Sequence, residues 1–171
     1  EVVVRTRLQR DVGGYRPALP HSGDLDLWLR FAARCDIAFI EGADQAYYRI
    51  HSKNMTATRS PIVDLAQRAA AFESFFAECG SRLPCAQELR RRAQREIAKE
   101  ALWRACRAYE RRRWAETPIG ALKQLANDTY PNSHRLPEYW GLYWRERVGP
   151  VVAPYLQVLM FSAVHRRLRQ L

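Results

Sequence analysis

Apolar positions along the chain change their rhythm near residue 60. Before it, short apolar runs alternate with turns; after it, apolar residues recur every three or four positions, the repeat of a helix face. Val2 to Val4 is a β-branched run that reads as a short buried strand. Thr6 to Val12 carries Leu8 and Val12 four apart and is stopped by Gly13-Gly14, which predicts two helical turns. Pro17, Pro20 and Gly23 mark residues 15–23 as a loop, and Ser22 stands where an N-cap is wanted. From Asp24 to Arg34, Leu25, Trp28, Leu29 and Ala32 share one face, so a second helix follows. Ile37 to Ile40 reads as an apolar strand, Gly42 as a turn and Ala46 to Ile50 as another strand.

Ser60-Pro61 is a good N-cap and first-turn pair, and it opens a helix over 61–79 with Ile62, Leu65, Ala69, Phe72 and Phe76 on one side. Gly80 to Pro84 separates it from a long helix whose apolar positions are Leu89, Ala93, Ile97, Ala101 with Leu102, Ala105 and Tyr109. Thr117-Pro118 starts a shorter helix through Ala126, so residues 84–127 have the look of a helical hairpin. Pro131 to Pro137 is a loop, YWGLYWRER is helical, and Gly149-Pro150 opens the last helix. The expected fold is an α/β fragment over residues 1–59, too small for a complete doubly wound sheet, followed by an all-α region over 60–171. The chain is expected to be predominantly helical overall.

Composition narrows the picture. The 171 residues are 47% hydrophobic and 27% charged, as in a globular protein with room for one sizeable core or for a small α/β piece plus a helical one. The net charge of +10 favours anionic partners without choosing among nucleotides, phosphates, lipid and nucleic acid. Residues 82–113 hold eleven Arg and Lys against four Glu, a net of +7. Basic helices of this kind can meet nucleic acid or anionic lipid, although a solvated helix face is the commoner outcome. Cys35, Cys79, Cys85 and Cys106 form no CxxC pair and have no His at zinc-like spacing, which points to buried thiols in a reduced, cytoplasmic setting. The last segment, VVAPYLQVLMFSAVHRRLRQL, has about fourteen mostly apolar residues before a basic end, too short to span a bilayer. It can be a core-packing helix or an interfacial anchor. Trp140, Tyr143 and Trp144 fit aromatic core packing or a lipid headgroup boundary equally well. The chain opens on its β-branched run without an initiator Met or a signal peptide, so it reads as cut from something longer.

Chemically capable side chains concentrate between Asp11 and Asn54. Asp24 and Asp26 lie in a first helical turn, where the macrodipole alone favours acids. Gly13-Gly14 is a common helix terminator, Arg49 could be an ion-paired strand residue, and His51 could be structural. Taken together, the residues say more. Val12-Gly13-Gly14-Tyr15, then Asp24-Leu25-Asp26-Leu27-Trp28-Leu29-Arg30, then Tyr48-Arg49-x-His51-x-x-Asn54 resembles the second half of a family-2 glycosyltransferase of the GT-A fold, over about residues 1–59. The resemblance implies an inverting transfer from a nucleotide-sugar donor to an acceptor hydroxyl, with a cell-envelope glycan or a lipid-linked sugar among the acceptors. In it, Asp24 is the catalytic base and Gly13 and Gly14 lie beside the donor; beside these, Arg49 or Lys53 could supply a charge near the diphosphate. His51 helps hold a divalent metal, Mg or Mn, and the diphosphate. A cytoplasmic enzyme is expected, with peripheral contact to the inner face of a membrane through its basic C-terminal helices; nucleic acid is not an expected partner.

Two departures stand out. The family's acidic residue before the base is Gly23 here, and its donor-binding half, with an Asp-x-Asp after an apolar strand, is absent from this chain. Asp24-Leu25-Asp26 spells that motif but leads into an amphipathic helix. The chain alone is therefore not expected to turn over. The alternative is a non-enzymatic basic helical module that binds nucleic acid or protein partners.

Overall fold

The structure, a computed structural model, describes residues 2–42, 46, 47, 49 and 60–168, with the side chains of the last helix described as far as Tyr155. Six helices carry the described chain: α1 (Thr6–Val12), α2 (Gly23–Ala32), α3 (Pro61–Cys79), α4 (Ala86–Glu110), α5 (Ile119–Thr129) and α6 (Pro137–Leu168). Single 3₁₀ turns occupy Gly80–Arg82 and Ser133–Arg135.

There is no strand among the described residues, so the expected α/β fragment is overturned in favour of helices throughout. The physical reason is that a β-branched run becomes a strand only where a neighbouring backbone and a half-buried pleat receive it. Val2 to Val4 and Ile37 to Ile40 pair with no strand among the described residues, and Val2, Val3, Ile37, Phe39 and Ile40 stand exposed. Of the strand expected from Ala46 to Ile50, only Ala46, Tyr47 and Arg49 are described, none of them in a strand; the rest lies outside the described residues.

Two compact units divide the chain, Glu1–Ala93 and Gln94–Leu171. In the first, α2 packs against both α1 and α3. Val12, Leu27 and Phe31 form its small core, with Val4 and Leu8 packed against them. The buried face of α2 is not the expected one. Gly23, Asp26, Leu27, Arg30 and Phe31 point inward, while Trp28 and Ala32 are exposed. Ser22 does precede α2, but its side chain caps nothing. Its Oγ donates to the Gln67 carbonyl 2.7 Å away and fastens α2 to α3 instead. The buried stripe of α3 runs through Leu65, as expected, and then Ala71, Phe75 and Cys79, while the expected Ala69, Phe72 and Phe76 are half-buried.

In the second unit, α4 buries Ile97, Ala98, Ala101, Leu102, Ala105, Cys106 and Ala108. Leu122 and Ala126 of α5 and Leu142 and Ala153 of α6 complete the buried apolar set with Leu136. Arg145 ties α6 to α4 through Glu110, Nη2 to Oε1 at 2.8 Å, and its Nη1 donates to the Gly141 carbonyl. Lys123 of α5 meets Glu146 of α6 at 2.7 Å. Gly149, at φ 77° and ψ 171°, breaks the regular course of α6 immediately before Pro150.

Candidate functional site

The glycine turn is built from α1 outward. Gly13 ends that helix at φ +83°, a left-handed value that suits a residue without a Cβ, and its N–H donates to the Gln9 carbonyl. Gln9 Nε2 returns a bond to the Gly13 carbonyl at 2.6 Å. A side chain at Gly13 or Gly14 would meet nothing within 4 Å, so the turn faces open space.

Arg30 locks this turn to α2. Its Nη1 donates to the Val12 carbonyl and its Nη2 to the Gly14 carbonyl, each at 2.8 Å. Its Nε reaches Asp26 Oδ2, one helical turn back, at 2.9 Å. Asp26 is 0% exposed and Arg30 only 3%. A second guanidinium shares the same carboxylate oxygen, with Arg16 Nε 3.1 Å from Asp26 Oδ2. Arg16 also reaches α3 through Ser74 and Glu78, and Arg34 meets Glu78 from the end of α2. Asp26 Oδ1 is buried without a hydrogen-bond partner. Asp26 is thus a structural anion whose two cations hold the glycine turn, the 15–22 loop and α3 around α2.

Asp24 has the opposite environment. It lies exposed in the first turn of α2, and its Oδ1 accepts the Leu25 N–H at 2.8 Å. At about 100° per residue, two positions place Asp24 and Asp26 about 200° apart, one outward and one inward. Gly23 lies against the Tyr15 ring: a Cβ there would come within 3.2 Å of Cδ1.

Of the expected site residues, the structure brings the Gly13-Gly14 turn and the helix bearing Asp24 into one fastened assembly. Arg49 is exposed. His51 lies outside the described residues, as do Tyr48 and Asn54. Among the described residues no three His, Cys, Asp or Glu side chains stand together to hold a metal ion. Sequence reasoning missed Arg16 and Arg30 as the residues that organise the site. The i, i+4 spacing of Asp26 and Arg30 was the available signal.

The remaining chemistry is muted. All four cysteines are free, Cys79 and Cys106 buried and Cys35 and Cys85 exposed, so the expectation of buried thiols holds for two of them. Burial pushes the Cys106 thiol up to about 11 and raises that of Cys79 as well, which keeps both protonated and weakly nucleophilic near neutrality. The basic stretch of α4 is partly spent in ion pairs: Arg90 with Glu73, Lys99 with Glu96, Arg104 with Glu100 and Arg107 with Glu110. Among the described residues no helix is long and apolar enough to cross a membrane. Comparison with known proteins finds no matching family model, no matching curated protein and no matching solved structure.

Proposed function

We propose that this chain is the acceptor-activating part of a sugar-nucleotide-dependent, inverting glycosyltransferase, with Asp24 as the general base. The observation that carries the reading is the division of labour between the two carboxylates of α2. Asp26 is buried and held by two guanidiniums, whereas Asp24 is exposed at the start of a helix fastened to an open glycine turn. In the reaction, the acceptor hydroxyl attacks the anomeric carbon and its proton passes to the Asp24 carboxylate. The bond from that carbon to the diphosphate oxygen breaks, and the nucleoside diphosphate departs with the electron pair. An exposed carboxylate on a fixed helix start is suited to such a transfer because it reaches the acceptor without losing its own place. In the same reading, Gly13 and Gly14 let backbone approach the donor, and Arg49 and His51 serve the diphosphate.

The test compares Asp24→Asn with Asp26→Asn with the donor-binding half present, following nucleoside diphosphate release from UDP-, GDP- and dTDP-sugars. Asp24→Asn should lower transfer by about 10²–10⁴-fold while leaving donor affinity and folding in place. Asp26→Asn should act through stability. Full activity in Asp24→Asn, with activity lost in a still folded Asp26→Asn, would show that the wrong carboxylate has been named.

A further inference from the structure

Before its kink, α6 presents an aromatic stripe to solvent. Trp140, Tyr143, Trp144 and Arg147 are spaced i, i+3, i+4 and i+7, which puts them on one helix face. Trp140 is 52% and Trp144 56% exposed, while the inward face of the same helix is taken by Leu142 and Arg145. The rings are ordered edge to face: Trp140 against Tyr143 at 5.6 Å between centroids, and Tyr143 against Trp144 at 5.5 Å. The Arg147 guanidinium lies 5.7 Å over the Tyr143 ring. Beyond Gly149-Pro150, Val151, Val152 and Tyr155 are exposed as well. Scattered exposed apolar residues need no explanation, but a stripe of two indoles and a phenol in ring contact does.

We infer that this face of α6 docks on the surface of an anionic phospholipid bilayer. Indole and phenol rings have an apolar body and a polar edge, the combination that settles at the headgroup boundary. The C-terminal sequence has the complementary charge. From Arg147 to Leu171 the chain contains four arginines and no Asp or Glu, and such cations are drawn to lipid phosphates. Arg147 stands within the stripe itself, where its stem can lie along the rings and its guanidinium can reach a phosphate. No helix among the described residues can cross the bilayer, so the attachment is in the plane of the interface. The inference goes beyond the transferase reading and does not rest on it.

The experiment floats the purified chain with vesicles of phosphatidylcholine alone or of phosphatidylcholine mixed with phosphatidylglycerol, at low and raised salt. The chain should float with the mixed vesicles, less so in salt, and little with phosphatidylcholine alone. Trp140→Ala/Trp144→Ala should weaken that binding by about tenfold or more through lost apolar area. Arg147→Gln should weaken it by about fivefold on mixed vesicles only. Trp140→Phe/Trp144→Phe, which keeps an apolar aromatic face, should retain most of the binding. Because these side chains are exposed, circular dichroism should be unchanged in every variant. Absence of binding to mixed vesicles at low salt overturns the inference, as does binding that the double alanine variant leaves intact. A protein that self-associates through this face, with sedimentation showing the dimer lost in the double alanine variant and no vesicle binding, overturns it in favour of a second copy.

Discussion

Asp26 and Arg30 are four residues apart on the inward face of α2, and neither charge could stay there alone. Burying an isolated ion is far costlier than burying a pair, and the pair is tolerated because Arg30 also satisfies the Val12 and Gly14 carbonyls. Removing one partner of such a buried pair typically costs about 3–5 kcal/mol. Asp26→Asn should therefore lose stability of roughly that size in urea unfolding, with the half-exposed Arg16 softening the loss. Asp24→Asn removes only a first-turn acid and should shift stability by about 0.5 kcal/mol. If the two variants unfold alike, the structural role given to Asp26 is wrong. The outward position of Asp24 was legible from its place in a polar loop-to-helix junction. The inward position of Asp26 was not, because a count of apolar periodicity assigns charged residues to the wet side of a helix. That assumption turned the expected apolar face of α2 away from the true one. The face that packs is Leu27 and Phe31 with the ion pair beside them.

At the level of elements, punctuation was easier to read than faces. The bounds expected for α1 and α3 coincide with those observed, because Gly13 ends one and Ser60-Pro61 and Gly80 frame the other. These signals act on the backbone of their own residues and need no tertiary partner. Strands need a partner by construction, and β-branched runs such as Val2 to Val4 cannot announce whether one exists. In α6 the punctuation falls inside an element. Gly149 adopts φ 77° and ψ 171°, a region essentially reserved for glycine, and Pro150 disfavours a helical conformation in the residue before it. Gly149→Ala finds open space for its methyl group but a strained backbone, so it should cost about 1–3 kcal/mol. Thermal unfolding followed by circular dichroism measures this. An unchanged midpoint would mean that the kink is not fixed by this residue.

Across the whole molecule, the buried acids-in-waiting all lean the same way. Burial is the leading cause that raises the Cys79 and Cys106 thiols and the Tyr109 phenol. Each is therefore favoured in its neutral form by the folded chain and ionises earlier when unfolded. Unfolded Cys106 loses its proton from its ordinary value of 9.0, whereas the folded chain holds it until about 11. Between those values the unfolded state binds fewer protons than the folded one, so stability falls as pH rises. Below pH 9 the contribution is fully present. At a pH near 10 the loss from Cys106 alone should be on the order of 1 kcal/mol, with Cys79 and Tyr109 adding in the same direction. Urea midpoints measured from neutral to alkaline pH should be level on account of these groups and then decline, and Cys106→Ala should flatten part of the decline. Thiol counting offers an independent check of the same burial. At mildly alkaline pH a soluble disulfide reagent should modify Cys35 and Cys85 quickly, and Cys79 and Cys106 only as the chain opens. Four fast thiols in the native protein would contradict the buried positions on which the alkaline loss depends.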